Sequence, residues 1–526
     1  MTISQIRESL APYDSFPMHE LLKRTALRLP YKTAIIDDGN LMSYKNLYDY
    51  SCSFATALID QGLQKGDRVA ILSPNCAEFV IAFYGIVATG GVVTTINSGY
   101  KEREISHQIT SSKCEIIIVY HTLSSVLKKA IEISGKQVET ITIGSNNSDS
   151  DEFWNLVLNN KPLVDVDIEP LNDLAAMPYS SGTTGLSKGV MLTHFNLVSN
   201  VQQLLGLSGI CKMKEKDMVL VHLPLFHIYG MNILMNGCIA SGATQVMMGR
   251  FDMGDFLDII EKYRVTKLFT VPPVGLGLTQ TTAIKGKDLS CLELAFFGAA
   301  PLSSSLQEKI QNALGCPVIQ GYGMTETSPL ANSDFSESTL RKSGSVGPAV
   351  ADTEEKIVDV ENPYKTLPFG EPGELMIRGP QVTKGYFNDD EATLETLTKD
   401  GWIHTGDIAR MDPEGYVWIL DRKKELIKYK GFQVPPADLE GVLQEHPDIL
   451  DAAVIGKPDE ESGEIPKAFV VKNPDSGLTE NDIIDFIADK VATFKQIREV
   501  EFTDSIPRNP SGKILRRLLR NPSGAN

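Results

Sequence analysis

Short apolar runs alternate with longer mixed stretches along most of the chain. Asp67 to Ser73 (DRVAILS) is an apolar run of strand length, and CAEFVIAFYGIVATG after it has helical length. Cys114 to Tyr120 (CEIIIVY) is a second such run. Thr266 to Pro273 (TKLFTVPP) is a third, and it follows the helical DFLDIIEKYRV. Continuous apolar runs suit strands covered on both faces, so this alternation predicts layered α/β structure with buried sheets. Phe79 to Ile96 (FVIAFYGIVATGGVVTTI) is long and nearly uncharged, which raises the question of a membrane span. Gly85, Gly90 and Gly91 divide it into a helix-like half and a β-branched half. It therefore predicts a buried helix followed by a core strand.

The pattern changes near residue 421. DRKKELIKYKGFQVPPADLEGVL is charged, then broken by Gly431 and Pro435-Pro436. LDAAVIGK and KAFVVKN read as strands, and REVEFTDSIP as a last one. Between them TENDIIDFIADKVATF reads as a helix opened by a capping box of Thr479 and Asp482. This is a compact α+β unit of about a hundred residues, an ordinary small-domain size. The expected organisation is a large N-terminal domain of layered α/β subdomains, residues 1–421, and a small C-terminal α+β domain, residues 422–526. Gly144 to Phe153 (GSNNSDSDEF) reads as a polar surface loop.

Composition narrows the function classes. The chain has 526 residues, too many for one ordinary core. Its net charge of −17 argues against a general surface for nucleic acid or anionic membrane. An anionic substrate then needs local positive charge. The seven cysteines include no C-x-x-C pair, so a disulfide framework or zinc site is not expected and a reducing compartment fits. The first residues show no secretory pattern and the last no peroxisomal S-K-L address, so a cytoplasmic protein without stable membrane insertion is expected.

Tyr179 to Gly189 (YSSGTTGLSKG) has the composition of a phosphate-wrapping loop. Gly182 and Gly185 would free backbone N–H groups, Ser180, Ser181, Thr183 and Thr184 supply hydroxyls, and Lys188 supplies charge. It is not G-x-x-x-x-G-K-[ST], because Gly189 follows the lysine. The flanking LAAMPYSS and GVMLT are strand-like, and the next helix begins only after Thr193, a fitting N-cap. The loop is therefore expected between two strands, where no helix N-terminus faces the phosphates. A surface hairpin is the plain alternative.

Four further motifs accompany it: QGYGMTET (Gln320 to Thr327), GWIHTGD (Gly401 to Asp407), DRKKELIKYKGFQV (Asp421 to Val434) and PRNPSGKILRR (Pro507 to Arg517). With these, the chain resembles the adenylate-forming superfamily of acyl-CoA synthetases, luciferases and peptide-synthetase adenylation domains. LPLFHIYGMN, GELMIRGPQVTKGYFND and KELIKYKGFQV place the resemblance in the 4-coumarate–CoA ligase and luciferase-like branch. It extends over essentially the whole chain.

The resemblance implies two half-reactions. A carboxylate attacks the α-phosphate of ATP to give an acyl-adenylate and pyrophosphate, and the thiol of coenzyme A then displaces AMP. The first brings two anions together and needs cations and donors aimed at the developing charge. By resemblance, the Tyr179 to Gly189 loop holds the departing phosphates. Gln320 and Gly321 line the adenylate, Tyr322 flanks the adenine, and Thr325 bonds the α-phosphate. Glu326 binds Mg²⁺. Asp407 accepts from the ribose hydroxyls, as a carboxylate can for a vicinal diol, and Arg422 also contacts the ribose.

Lys513 is implied as the adenylation lysine, bridging the substrate carboxylate and the α-phosphate. Lys424 and Lys428 are implied to handle the adenylate, on one face if their stretch is helical. Lys430, Gly431 and Arg250 would contact coenzyme A, and Gln433 the AMP part. These groups lie on different parts of the small domain, so a mobile lid pivoting near Arg422 to Lys424 is implied. His227, Tyr229 and Ala299 would line the acyl pocket, His227 as a wall rather than a base. The luciferase branch has a second histidine after the first, where this chain has Ile228.

The expected partners are a small carboxylic acid, ATP and coenzyme A, not nucleic acid, in a monomer or homodimer. The expected acid is aryl-propenoic or a medium-to-long-chain fatty acid. Transfer to a carrier-protein thiol, luciferase-like oxidation, and a P-loop NTPase or non-catalytic ATP-binding module are the alternatives.

Overall fold

The computed structural model describes residues 7–144, 152–158, 161–163, 165–180, 187–430, 432–459, 461–509 and 512–520. Residues 145–151, most of the expected polar loop, lie outside this set. The apolar runs become interior strands. Arg68–Leu72 (DRVAILS) pairs in parallel with both Val92–Ile96 and Ile116–Tyr120, inside a six-stranded sheet. Lys267–Thr270 pairs in parallel with Leu294–Phe297 inside an eight-stranded sheet. The only antiparallel partners of that sheet are its edges, Leu330–Ser333 and Asn40–Ser43. Strands covered on both faces by helices need apolar residues at successive positions, which is why these runs do not alternate.

The Phe79 to Ile96 segment forms the helix Ala77–Ala88 and the strand Val92–Ile96, both buried. They belong to the main core together with the helix His194–Leu205. Among the described residues no helix is long and apolar enough to cross a membrane.

A four-stranded antiparallel sheet follows, in the order Glu354–Val358, Gly373–Arg378, Ile403–Met411, Val417–Arg422. The next strand, Ile427–Tyr429, belongs to a different five-stranded sheet with its own core around Leu439, Val454, Val470 and Ile487. The long hairpin Ile449–Asp459 and Gly463–Lys472 forms the centre of that sheet, and Glu499–Phe502 joins it in parallel. The Thr479 capping box is present: its hydroxyl accepts from the Asp482 N–H and the Asp482 carboxylate accepts from the Thr479 N–H.

Candidate functional site

A cleft of about 810 Å³ opens where the two larger sheets, the four-stranded sheet and the C-terminal unit meet. The described ends of the glycine-rich stretch reach it on two paired strands, as its flanks predict. Tyr179–Ser180 pairs antiparallel with Lys188–Gly189, in the register Tyr179 to Gly189 and Ser180 to Lys188. The following helix starts at His194, capped by Thr193. Ser180 and Lys188 line the cleft. Ser181, Gly182, Thr183, Thr184 and Gly431 lie outside the described residues, as does the Gln433 side chain.

Glu326 sits in the short turn Thr325–Thr327 just beyond the strand Val318–Gly323, and is 5% exposed. Its Oε1 accepts from the Ser180 hydroxyl at 2.9 Å and from the Tyr386 hydroxyl at 2.9 Å. Two donors on one oxygen fix the carboxylate and leave Oε2 without a hydrogen-bond partner among the described residues. Those residues contain no cluster of three metal-ligating side chains. A cation here would take one protein carboxylate and complete its shell with phosphate oxygens and water, as Mg²⁺ does beside nucleotides. The donor set fits that ion. Lys188 points across the same space: its ammonium pairs with Asp389 at 2.9 Å and lies 5.6 Å from the Tyr386 ring centre.

Asp407 and Arg422 meet because their strands pair them directly across the antiparallel ladder. Arg422 Nε lies 2.6 Å from Asp407 Oδ1, and the Tyr322 hydroxyl donates to Oδ2 at 2.5 Å. Both Tyr322 and Arg422 line the cleft. Gln320 does not, although Gly321 does: its side chain accepts from Leu302 N–H and donates to Gln307, tying the sheet to its covering helix.

His227, Tyr229 and Ala299, expected at the acyl pocket, line the cleft together with Phe296 and Ile233. Tyr229 opens a π-helical segment, Tyr229–Asn236, a widened turn of the type that recurs at functional sites. Gly230 is required there, since a Cβ would stand 2.3 Å from the Pro224 carbonyl oxygen. Tyr229 spends its hydroxyl on the Phe296 carbonyl at 3.2 Å. Burial pushes His227 down to about 4, so it is neutral at pH 7 and offers a flat, uncharged wall.

The C-terminal unit contributes Lys513 to the same cleft. Burial, and then the Arg422 guanidinium, hold its ammonium down to about 8, against the opposing pull of Asp407 and Glu425. Lys424 also lines the cleft, but Lys428 does not. Lys424 lies in a turn and Lys428 in the strand Ile427–Tyr429, so the helical condition for a shared face is not met. The cause is tertiary: this strand pairs with Phe432–Val434 in a hairpin, placing Lys428 opposite Gln433. Lys428 and Lys430 are exposed outside the cleft wall, and so is Arg250.

Lys424 has a notable place in the chain. Lys423 before it is tied to the four-stranded sheet, with its ammonium 3.0 Å from Glu374 and its N–H on the Gly406 carbonyl. Glu425 after it is tied to the last helix through Arg520, at 2.8 Å. Single residues carrying opposite allegiances are where a hinge can turn.

Tyr386 and Asp389 were not read from the sequence as site residues. Both stand in the GYFND stretch, where an aromatic and a carboxylate just before a helix read as a turn and an N-cap. Asp389 does cap Asp390–Thr396 by accepting from the Ala392 N–H.

Comparison with known proteins matches these two units in order. The model of the AMP-binding enzyme family covers residues 22–387, and that of the AMP-binding enzyme C-terminal domain covers residues 438–513. The chain is 40% identical over 513 residues to 4-coumarate–CoA ligase 2 of Solanum tuberosum, covering 96% of this chain and 93% of the relative. It is 39% identical over 516 residues to 4-coumarate–CoA ligase of Pinus taeda, covering 96% and 95%. Among solved structures, ATP-bound MatB of Rhodopseudomonas palustris superposes with a TM-score of 0.87 at 30% identity, covering 96% of this chain and 98% of that one.

Proposed function

The chain belongs to the AMP-binding enzyme family, and on that premise we propose that it is an ATP-dependent, AMP-forming acid–CoA ligase acting on an aryl-propenoic acid of the 4-coumarate kind. The observation that carries this reading is the convergence of Lys513, from the C-terminal unit, with Arg422, Thr325 and Glu326 in one cleft.

The geometry supports the following division of labour. The Ser180 to Lys188 loop takes the β- and γ-phosphates, with Lys188 exchanging Asp389 for a phosphate oxygen. Mg²⁺ bound at Glu326 would neutralise phosphate charge. Thr325 lies beside it for the α-phosphate. Asp407, oriented by Arg422 and Tyr322, keeps lone pairs for the ribose hydroxyls. Lys513 then stands between the acid's carboxylate and the α-phosphate, offsetting their repulsion as they approach. No general base is needed, because the acid is already ionised at neutral pH. After pyrophosphate leaves, the unit beyond residue 421 turns about Lys424, withdrawing Lys513 and bringing the Lys428 to Gln433 hairpin to the cleft for coenzyme A. That is why Lys428 and Lys430 stand outside the cleft in the present arrangement. The seven cysteines are all free, which suits a cytoplasmic enzyme.

The aryl preference rests on the acyl wall. His227, Tyr229 and Phe296 present ring surfaces, which suit a flat acid and stack favourably with one. A panel of cinnamic, benzoic and C4 to C18 fatty acids, assayed for coenzyme A-dependent AMP release, is expected to give the highest kcat/KM with a hydroxycinnamic acid. A fatty acid at the top of that panel overturns the aryl assignment and leaves the ligase reading intact.

The state of Lys513 gives a pH signature. Burial lowers its pKa from 10.5 to about 8, so the working ammonium is present below pH 8 and lost above it. The kcat/KM for ATP in pyrophosphate exchange should therefore fall about tenfold per pH unit above 8. Thioester formation from supplied acyl-adenylate should lack that limb. An exchange profile flat to pH 10 would contradict the assignment.

A further inference from the structure

Lys513 is the residue that the proposed adenylation step depends on, yet nothing so far explains what holds its loop. Its described residues bond to one another. Arg508 bridges antiparallel to Ile514, the Asn509 N–H donates to the Lys513 carbonyl at 2.9 Å, and the Lys513 N–H donates to Asn509 Oδ1 at 2.8 Å. These bonds define the turn's shape but not its placement on the domain. A turn closed on itself can rock as a body, and a lysine at its end would sweep an arc.

Ile506 and Ile514 pack with Ala453, Ile455 and Phe469, and two further contacts lie beside the lysine. On the outer side, Gly512 takes φ +84° and abuts the large domain: a Cβ there would stand 2.9 Å from the Pro273 ring. On the inner side, the Arg508 guanidinium is shared. Its Nη1 donates to the Gly512 carbonyl at 3.0 Å, the group immediately before Lys513. Its Nη2 donates to both oxygens of Asp451, at 2.9 and 3.1 Å. Asp451 lies near the start of the central strand Ile449–Asp459, where the register against Gly463–Lys472 shifts between Ile449 and Asp451. An irregularity of this kind re-aims a side chain. The pair is mostly buried, at 17% and 19% side-chain exposure, so it is far less screened than a surface ion pair.

We propose that Asp451 is a positioning residue for adenylation, acting through Arg508 to set the turn that presents Lys513. Asp451 stands outside the cleft wall, which Arg508 itself lines; the chain of contact runs Asp451, Arg508, the Gly512 carbonyl, Lys513. A second anchor lies beyond the lysine, where Arg516 makes a buried fork with Glu440 at 2.7 and 2.9 Å. That fork also accounts for Val454, since Arg516 Nε donates to the Val454 carbonyl and Glu440 accepts its N–H. It belongs to the domain's core, and breaking it would test stability rather than aim. Asp451 is the adjustable member.

The proposal rests on Lys513 being the adenylation lysine, and the experiment separates the two. Asp451→Ala, Asp451→Asn and Lys513→Ala are compared in three measurements: acid-dependent ATP–pyrophosphate exchange, thioester formation from supplied acyl-adenylate, and thermal unfolding. Misplacing a catalytic group by about 1 Å costs on the order of 10²-fold. Asp451→Ala should accordingly lower kcat for exchange at least tenfold, leave the KM for ATP within about twofold, and keep thioester formation within about twofold. Asp451→Asn, which keeps the shape but not the charge, should fall between it and the parent, and carries the test if Asp451→Ala does not fold. Equal loss in both half-reactions, or wild-type exchange in both Asp451 variants while Lys513→Ala is inactive, overturns the positioning role alone. Exchange surviving in Lys513→Ala overturns the reading beneath it.

Discussion

Lys513→Ala is expected to abolish ATP–pyrophosphate exchange while largely sparing conversion of supplied acyl-adenylate to the thioester. The lysine lines the cleft from the C-terminal unit, within electrostatic reach of Arg422 and Asp407. In the proposed reaction its charge acts where carboxylate and α-phosphate oxygens approach, an interaction that exists only as adenylation proceeds. Removing one preorganised group of that kind costs about 10²–10³-fold in kcat. The second half-reaction moves charge the other way, from adenylate to leaving AMP, and in the proposed cycle it occurs with Lys513 withdrawn. The effect should therefore appear in kcat for one half-reaction and not in the other. Single-turnover measurement of each step makes the distinction. Equal loss in both would argue against a lid that divides the work.

Glu326→Gln should produce the second large effect, about 10²-fold in adenylation. The substitution is chosen for what it keeps. A glutamine carbonyl oxygen can still accept from Ser180 and Tyr386, which both bond Oε1 of the glutamate. No buried hydroxyl is then left unpaired, and the penalty for that is avoided. What is lost is the negative charge, together with the affinity of Oε2 for a hard cation. The Mg²⁺ concentration giving half-maximal exchange should rise several-fold, while the unfolding temperature stays within a few degrees of the parent. Unchanged Mg²⁺ dependence would assign Glu326 a purely structural role in holding the loop to the Tyr386 segment.

The sequence was most legible where local chemistry decides. DRVAILS and CEIIIVY are uninterrupted because their strands are buried on both faces, and they form parallel neighbours in one sheet. Thr193 and Thr479 cap the helices their sequences announce, since a cap is settled within four residues. The strand context of the glycine-rich loop was legible for the same reason. Legibility ended where distant segments decide. Lys424 and Lys428 have helical spacing, yet the strand holding Lys428 pairs with its neighbour Phe432–Val434 and with the distant Gly463–Lys472, and that pairing overrides spacing. Gln320 sits inside the expected adenylate motif but turns to Gln307 on a covering helix. Tyr386 reaches Glu326 from sixty positions along the chain, and nothing near either residue signals the contact. The Gly512 approach to Pro273 joins segments still farther apart. The motifs were readable as chemistry; the partners that aim them were not.

The central claim is that ATP is cut at the α-phosphate by a carboxylic acid, with coenzyme A needed only afterwards. Isotope exchange between pyrophosphate and ATP tests it most directly, run with a hydroxycinnamic acid and without coenzyme A. The account predicts exchange that requires the acid, proceeds without coenzyme A, and gives way to AMP release when coenzyme A is added. Release of inorganic phosphate without exchange, or exchange that needs no acid, would contradict it.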